Sequence, residues 1–165
     1  MKKKKKRSAG KQRAGKGPMS KAGLALKDGF YLEASWHIST ILETRLRKII
    51  VMVTGENPGS AFGLQKCLLR LKHLLQLDQS PLLSNHMEIR LIDQIRAWKN
   101  NRNAVYKDLT LIHVSERRMK KMTEEGILLH HEVNTLYKNM KKDRKRASDA
   151  DVPVPETTHE GQGAE

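Results

Sequence analysis

Between Tyr31 and Val53 the apolar side chains fall at Ile38, Ile41, Leu42, Leu46, Ile49, Ile50 and Val53, a spacing that lines one face of a helix. Asp28 stands where a cap would start that helix, and Gly55 where a stop would end it, just ahead of the turn-forming Glu56-Asn57-Pro58-Gly59. Ser60 is placed to cap a second helix whose stripe is Ala61, Leu64, Leu68, Leu71 and Leu75. Ser80-Pro81 opens a third, because proline at the first helical position gives up an N–H that has no partner there anyway. Its stripe runs through Leu83, Met87, Leu91, Ile95 and Trp98, and a short helix carrying Val105, Leu109 and Ile112 is expected to restart after Asn100-Asn101. Ser115 then caps the last and longest helix, in which Met119, Met122, Gly126, Leu129, Val133, Leu136 and Met140 alternate by three and four. That alternation is the seam of a helix packed nearly parallel or antiparallel to its neighbours. No strand pattern intervenes, so the expected fold class is all-α: a bundle of four long helices and one short one over residues 28–146.

Charge is distributed unevenly around this core. Residues 1–27 hold 11 Lys and Arg and no acid, residues 28–140 hold 16 basic and 12 acidic side chains, and residues 141–165 hold 5 and 6. The net charge of +14 therefore resides mainly in one end of the chain. KKKKKRSAGKQRAGKGPMSKAG has too little apolar surface to offset its ordering entropy and is expected to be a disordered basic tail. Such a polycation either keeps the protein in solution or contacts nucleic-acid phosphates by counterion release, without sequence preference. Residues 147–165, polar and rich in Pro and Gly, are expected to form a second disordered tail. No apolar run approaches the roughly 18 residues of a membrane span, and no apolar leader core follows the first lysines, which points to a cytoplasmic protein without a membrane partner. The single cysteine, Cys67, permits no intrachain disulfide and is expected to pack as a small hydrophobe.

Candidate chemistry is sparse. Seven histidines are present, yet none has HExxH or Cys/His metal spacing, and the adjacent His130 and His131 diverge from a helix rather than grip one ion. No GxGxxG or GxxxxGK[ST] is present, so a Rossmann or P-loop enzyme is excluded, and neither a cofactor nor a metal is expected. Glu43 stands beside the first apolar stripe with Trp36, Thr40 and Arg47 at steps of three and four, either as an exposed pair with Arg47 or as part of a site. The segment WKNNRNAVYKDL, Trp98 to Leu109, gathers Arg102, Asn103, Tyr106 and Lys107. A planar guanidinium, an amide and an ammonium could together hold a phosphodiester. Asn100 or Asn101 capping an ordinary solvated turn is the plainer reading.

The order of these pieces resembles the HEPN superfamily, helical bundles of bacterial toxin–antitoxin, abortive-infection and RNA-processing systems. FYLEASWHISTILETRLRKII is similar to the family's long first helix with an internal polar residue, here Glu43; AFGLQKCLLRLKHLL and IRAWKNNRNAVYKDL follow, the last like the Arg-Asn opening of the motif helix. The likeness spans roughly residues 28–140, and Arg102-Asn103 is its motif-specific part. It implies metal-independent cleavage of RNA at a homodimer interface, where the arginine holds the scissile phosphate and a histidine about four to six residues on moves the proton as the ribose 2′-OH attacks. In that window this chain has Tyr106, Lys107 and Asp108, and the next histidine, His113, lies eleven residues beyond Arg102. An imidazole with a pKa near 6.5 takes and gives a proton at neutral pH, whereas a phenol near 10 or an ammonium near 10.4 needs a large shift to do so.

The resemblance thus implies an RNA-directed homodimer of bacterial defence or toxin–antitoxin type, with a cognate antitoxin as a further partner. It would be either a metal-independent endoribonuclease or a catalytically degenerate RNA binder. Arg102 would clamp the phosphate, Asn103 would orient the turn or substrate, Tyr106 and Lys107 would stand in for the histidine, and Glu43 would sit behind Arg102. The alternative is a non-catalytic helical module that binds another protein while its Lys-rich tail tethers it to nucleic acid.

Overall fold

The structure, a computed structural model, describes residues 18–59, 62–111 and 113–150. The expectations placed on residues 1–17 and 151–165, the capping by Ser60 and the stripe positions Ala61 and Ile112 lie outside the described residues. Six helices, and no strand among the described residues, make an all-α bundle: α1 (Pro18–Lys27), α2 (Tyr31–Thr54), α3 (Leu64–Gln76), α4 (Pro81–Ser84), α5 (Ile89–Leu111) and α6 (Glu116–Ala150).

The middle of the bundle is α2, which packs against α1, α3 and α6, while α5 is held between α3 and α6. Ile38, Leu42, Leu46 and Ile49 of its stripe are fully buried, and Ala34, Ser35 and Ser39 extend the buried face toward the helix start with small side chains. On α3, Leu64, Cys67, Leu68 and Leu71 meet that face; on α6, Met122, Val133, Leu136 and Met140 do so. A fully buried aliphatic side chain contributes roughly 1.5–3 kcal/mol, and the continuous stripe is what fixes α2 at the centre.

Three boundaries differ from the sequence expectation, each for a local reason. Helix α1 occupies residues expected to belong to the disordered basic tail: Ala22 and Ala25 are buried, and contact with α2 supplies the apolar burial that the segment alone lacks. Asp28 lies in the turn that follows α1 instead of opening α2. Phe30 N–H bonds to Ala25 O at 2.7 Å and Gly29 N–H to Leu26 O at 3.2 Å, a closure that needs the left-handed backbone Gly29 supplies at φ 81°. The third and short helices are regrouped: Ser80 does cap a helix, accepting from Leu83 N–H, but that helix ends at Ser84.

Helix α5 then runs unbroken through Asn100-Asn101, so neither asparagine is an N-cap. Trp98 and Val105, two turns apart, are both buried, and only a continuous helix keeps them on one face. Burying an indole outweighs the few tenths of a kcal/mol that each asparagine costs a helix interior. Gly55, at φ 74°, ends α2 as expected, with its N–H on Val51 O. Ser115 Oγ accepts Arg118 N–H at the start of α6, which continues four residues into the expected polar tail. No helix of the described residues is long and apolar enough to cross a membrane.

Candidate phosphate-binding site on α5

The site is built on two successive turns of α5, where Trp98, Arg102 and Tyr106 share a face at steps of four. Trp98 is its foundation. The indole is 3% exposed, and its Nε1–H donates to Met122 O on α6 at 2.8 Å. It lies directly on Gly126: a Cβ there would stand 2.6 Å from Trp98 Cζ2, 2.7 Å from Cε2 and 2.8 Å from Nε1. Gly126 appeared in the sequence only as one step of the α6 seam. The signal that marks it is a glycine in a row otherwise filled by Met, Leu and Val.

Arg102 is held between two rings. Its Cζ lies 5.6 Å from the Trp98 ring centroid and 5.7 Å from that of Tyr106, within cation–π reach of both. One terminal nitrogen donates to Asn103 Oδ1 at 3.2 Å, while Nε is buried without a hydrogen-bond partner among the described residues. Burial pulls its pKa below the usual arginine value, partly countered by Tyr106 and by the Glu43 carboxylate, and an arginine so shifted is still a cation at neutral pH. The result is a partly desolvated, fixed charge with unused donor capacity.

Tyr106 is anchored at its hydroxyl, which donates to Leu32 O at 3.0 Å and lies 2.8 Å from Ser35 Oγ, tying α5 to the start of α2. Asp108 binds Arg118 at 2.8 Å and joins α5 to α6. Lys107 is exposed one turn after the exposed Asn103. His113, beyond the end of α5, is exposed. Of the expected set, Arg102 therefore contacts both Asn103 and Tyr106; Lys107 is near in sequence.

Glu43 lies within electrostatic range of Arg102, but its oxygens are used elsewhere. Oε1 pairs with Arg47, and Oε2 accepts the Leu64 N–H at 3.0 Å, at the first turn of α3, where backbone donors lack helical partners. Arg47 Nε donates to Phe62 O at 2.8 Å. The Glu43–Arg47 pair thus closes the α2–α3 connection, and the pairing expected for an exposed i, i+4 couple carries a tertiary role that sequence alone did not reveal.

Elsewhere, Cys67 is fully buried, and burial raises its thiol pKa to about 11. His130 is 5% exposed with Nδ1 buried and unpartnered; burial first, then His131 and Arg45, hold its pKa below the ordinary histidine value. Among the described residues no group of three or more His, Cys, Asp or Glu side chains is placed to hold a metal ion. No family model matches this chain, and neither a curated protein nor a solved structure matches it.

Proposed function

We propose that this is an RNA-directed, HEPN-like protein that engages an RNA phosphate through Arg102 and acts as a binder, not as a histidine-dependent ribonuclease. The observation that carries the reading is the state of the Arg102 guanidinium: clamped between Trp98 and Tyr106, partly desolvated, and with Nε unpartnered among the described residues. A phosphate supplies the acceptors such a group lacks, and an arginine held by aromatic rings loses little entropy when it binds. Asn103 adds an exposed amide beside it and Lys107 an exposed charge on the next turn.

Proton transfer is where the site departs from the family pattern. The Tyr106 hydroxyl is committed to Leu32 O and Ser35, so its position is that of a brace between helices. Lys107 and His113 are exposed, and the adjacent Asp108 is paired with Arg118. These placements support binding without cleavage.

The test is to incubate the full chain with labelled single-stranded and structured RNA in EDTA beside Arg102→Ala. The reading expects intact RNA with both proteins and an affinity about 10- to 100-fold lower for the variant, the range of a charge-assisted hydrogen-bond set. Equal affinity would remove Arg102 from the site. Cleavage by the wild type that disappears in Arg102→Ala would make the protein a metal-independent endoribonuclease instead.

A further inference from the structure

The end of α2 and the C-terminal half of α6 line a groove of about 840 Å³. Its walls carry Lys48, Lys138, Lys141, Lys142, Arg144 and Lys145 against one acid, Asp149. None of these six cations meets a carboxylate in an ion pair among the described residues; the nearby Asp143 is taken by His86 and Arg146. Six unpaired positive charges around one concavity repel one another, and an anion removes that repulsion.

The floor is of the opposite character. Val51, Met52 and Tyr137 line it, and Arg45 covers one face of the Tyr137 ring with Cζ at 4.4 Å from the centroid. At its α2 end the groove adjoins a cleft of about 560 Å³, with Lys48 common to both. That cleft adds Arg45, Asn134 and His130, with Thr40 and Thr44, whose hydroxyls donate to Trp36 O and Thr40 O.

A cationic rim over an apolar and aromatic floor fits a polymer with phosphates on one edge and flat apolar faces on the other. Unstacked bases lie on such floors while lysines follow the backbone. A duplex keeps its bases stacked away from the floor. A bilayer is flat, whereas Val51, Met52 and Tyr137 line a concavity whose other lining residues are mainly cations. We infer that the α2–α6 groove binds a single-stranded stretch of RNA, with Lys138, Lys141, Lys142 and Lys145 on its phosphates and a base against Met52 and Tyr137. This rests on the RNA-directed reading and adds a second contact surface, whose lining shares no residue with the Arg102 site.

The experiment uses the full chain and a labelled oligouridine, with affinity measured by anisotropy as a function of salt. Changing Lys138, Lys141, Lys142 and Lys145 together to Ala is expected to lower the salt slope of log K by about 3 and the low-salt affinity at least about tenfold. Tyr137→Ala, checked for folding by circular dichroism, is expected to weaken binding about tenfold with the slope unchanged. An unaltered slope in the quadruple variant while Arg102→Ala still loses affinity would overturn the groove and leave the Arg102 reading standing. Equal affinity for duplex RNA would overturn the single-strand assignment. Absence of RNA binding by the wild type, with lysine-dependent binding to phosphatidylserine vesicles, would overturn both.

Discussion

Gly126→Ala tests the foundation of the site without touching any proposed RNA contact. The added methyl would stand 2.6 to 2.8 Å from three atoms of a Trp98 ring that is itself 3% exposed and bonded to Met122 O. Ordinary carbon contacts begin near 3.4 Å, so ring or helix must yield by roughly 0.8 Å, and overpacking of that kind costs about 1–3 kcal/mol. If the ring swings away, the indole N–H loses its partner and a further 1–3 kcal/mol is at stake. Against this, alanine is favoured over glycine in a helix interior by about 1 kcal/mol. The opposing terms leave a net destabilisation of about 1–3 kcal/mol, or roughly 4–10 °C in Tm for an ordered core of this size. Urea and thermal melts followed by circular dichroism measure it, and tryptophan fluorescence reports the displaced indole, with the exposed Trp36 as background. A variant as stable as the wild type, or more stable, would refute the close packing of Trp98 on Gly126 and with it the fixed seat proposed for Arg102.

Tyr106→Phe removes the hydroxyl bonds to Leu32 O and Ser35 and is expected to lower stability by about 1–2 kcal/mol in urea melts while leaving RNA affinity within about twofold; a large loss of affinity at unchanged stability would return Tyr106 to the RNA contact set. The Cys67 thiol, buried and raised to about 11, should resist a thiol reagent at pH 8 in the native protein and react at once in denaturant. His130 makes stability fall in mild acid. Its folded pKa lies below the ordinary 6.5, so the unfolded chain takes the proton first; the contribution is full above about pH 6.5 and is lost as pH falls toward the folded value, at most about 1.4 kcal/mol per pH unit. His130→Asn should flatten that part of the stability profile, and an unchanged profile would show that the imidazole titrates normally.

The all-α class was legible because the apolar stripes of α2, α3 and α6 repeat at helical spacing and are buried as that spacing requires. What the sequence hid was set by partners distant in the chain. Asp28 has the chemistry of a cap, yet it lies with Gly29 in the turn that closes α1 after Lys27. Asn100-Asn101 has the chemistry of a break, yet Trp98 and Val105 are held in one helix by burial against other elements. Arg102 and Tyr106 were legible as neighbours from their i, i+4 spacing because one helix carries both, whereas a phosphate role for Arg102-Asn103 came from the family resemblance. Gly126 and Trp98 were invisible as a pair, being 28 residues apart on different helices, and the two jobs of Glu43 depend on where α3 begins. The groove between α2 and α6 has no sequence signal, because Val51 and Met52 of one helix meet Tyr137 and the lysines of the other only in the fold.

The most direct test of the central claim is the equilibrium affinity of the full chain for single-stranded RNA in EDTA, compared between wild type and Arg102→Lys. Lysine keeps the charge but loses the planar fork and its seat between two rings. An affinity about tenfold weaker, with the salt slope nearly unchanged and the RNA uncut, is the result expected of a guanidinium bound to phosphate. Full affinity with lysine would reduce Arg102 to an interchangeable surface charge and contradict the account.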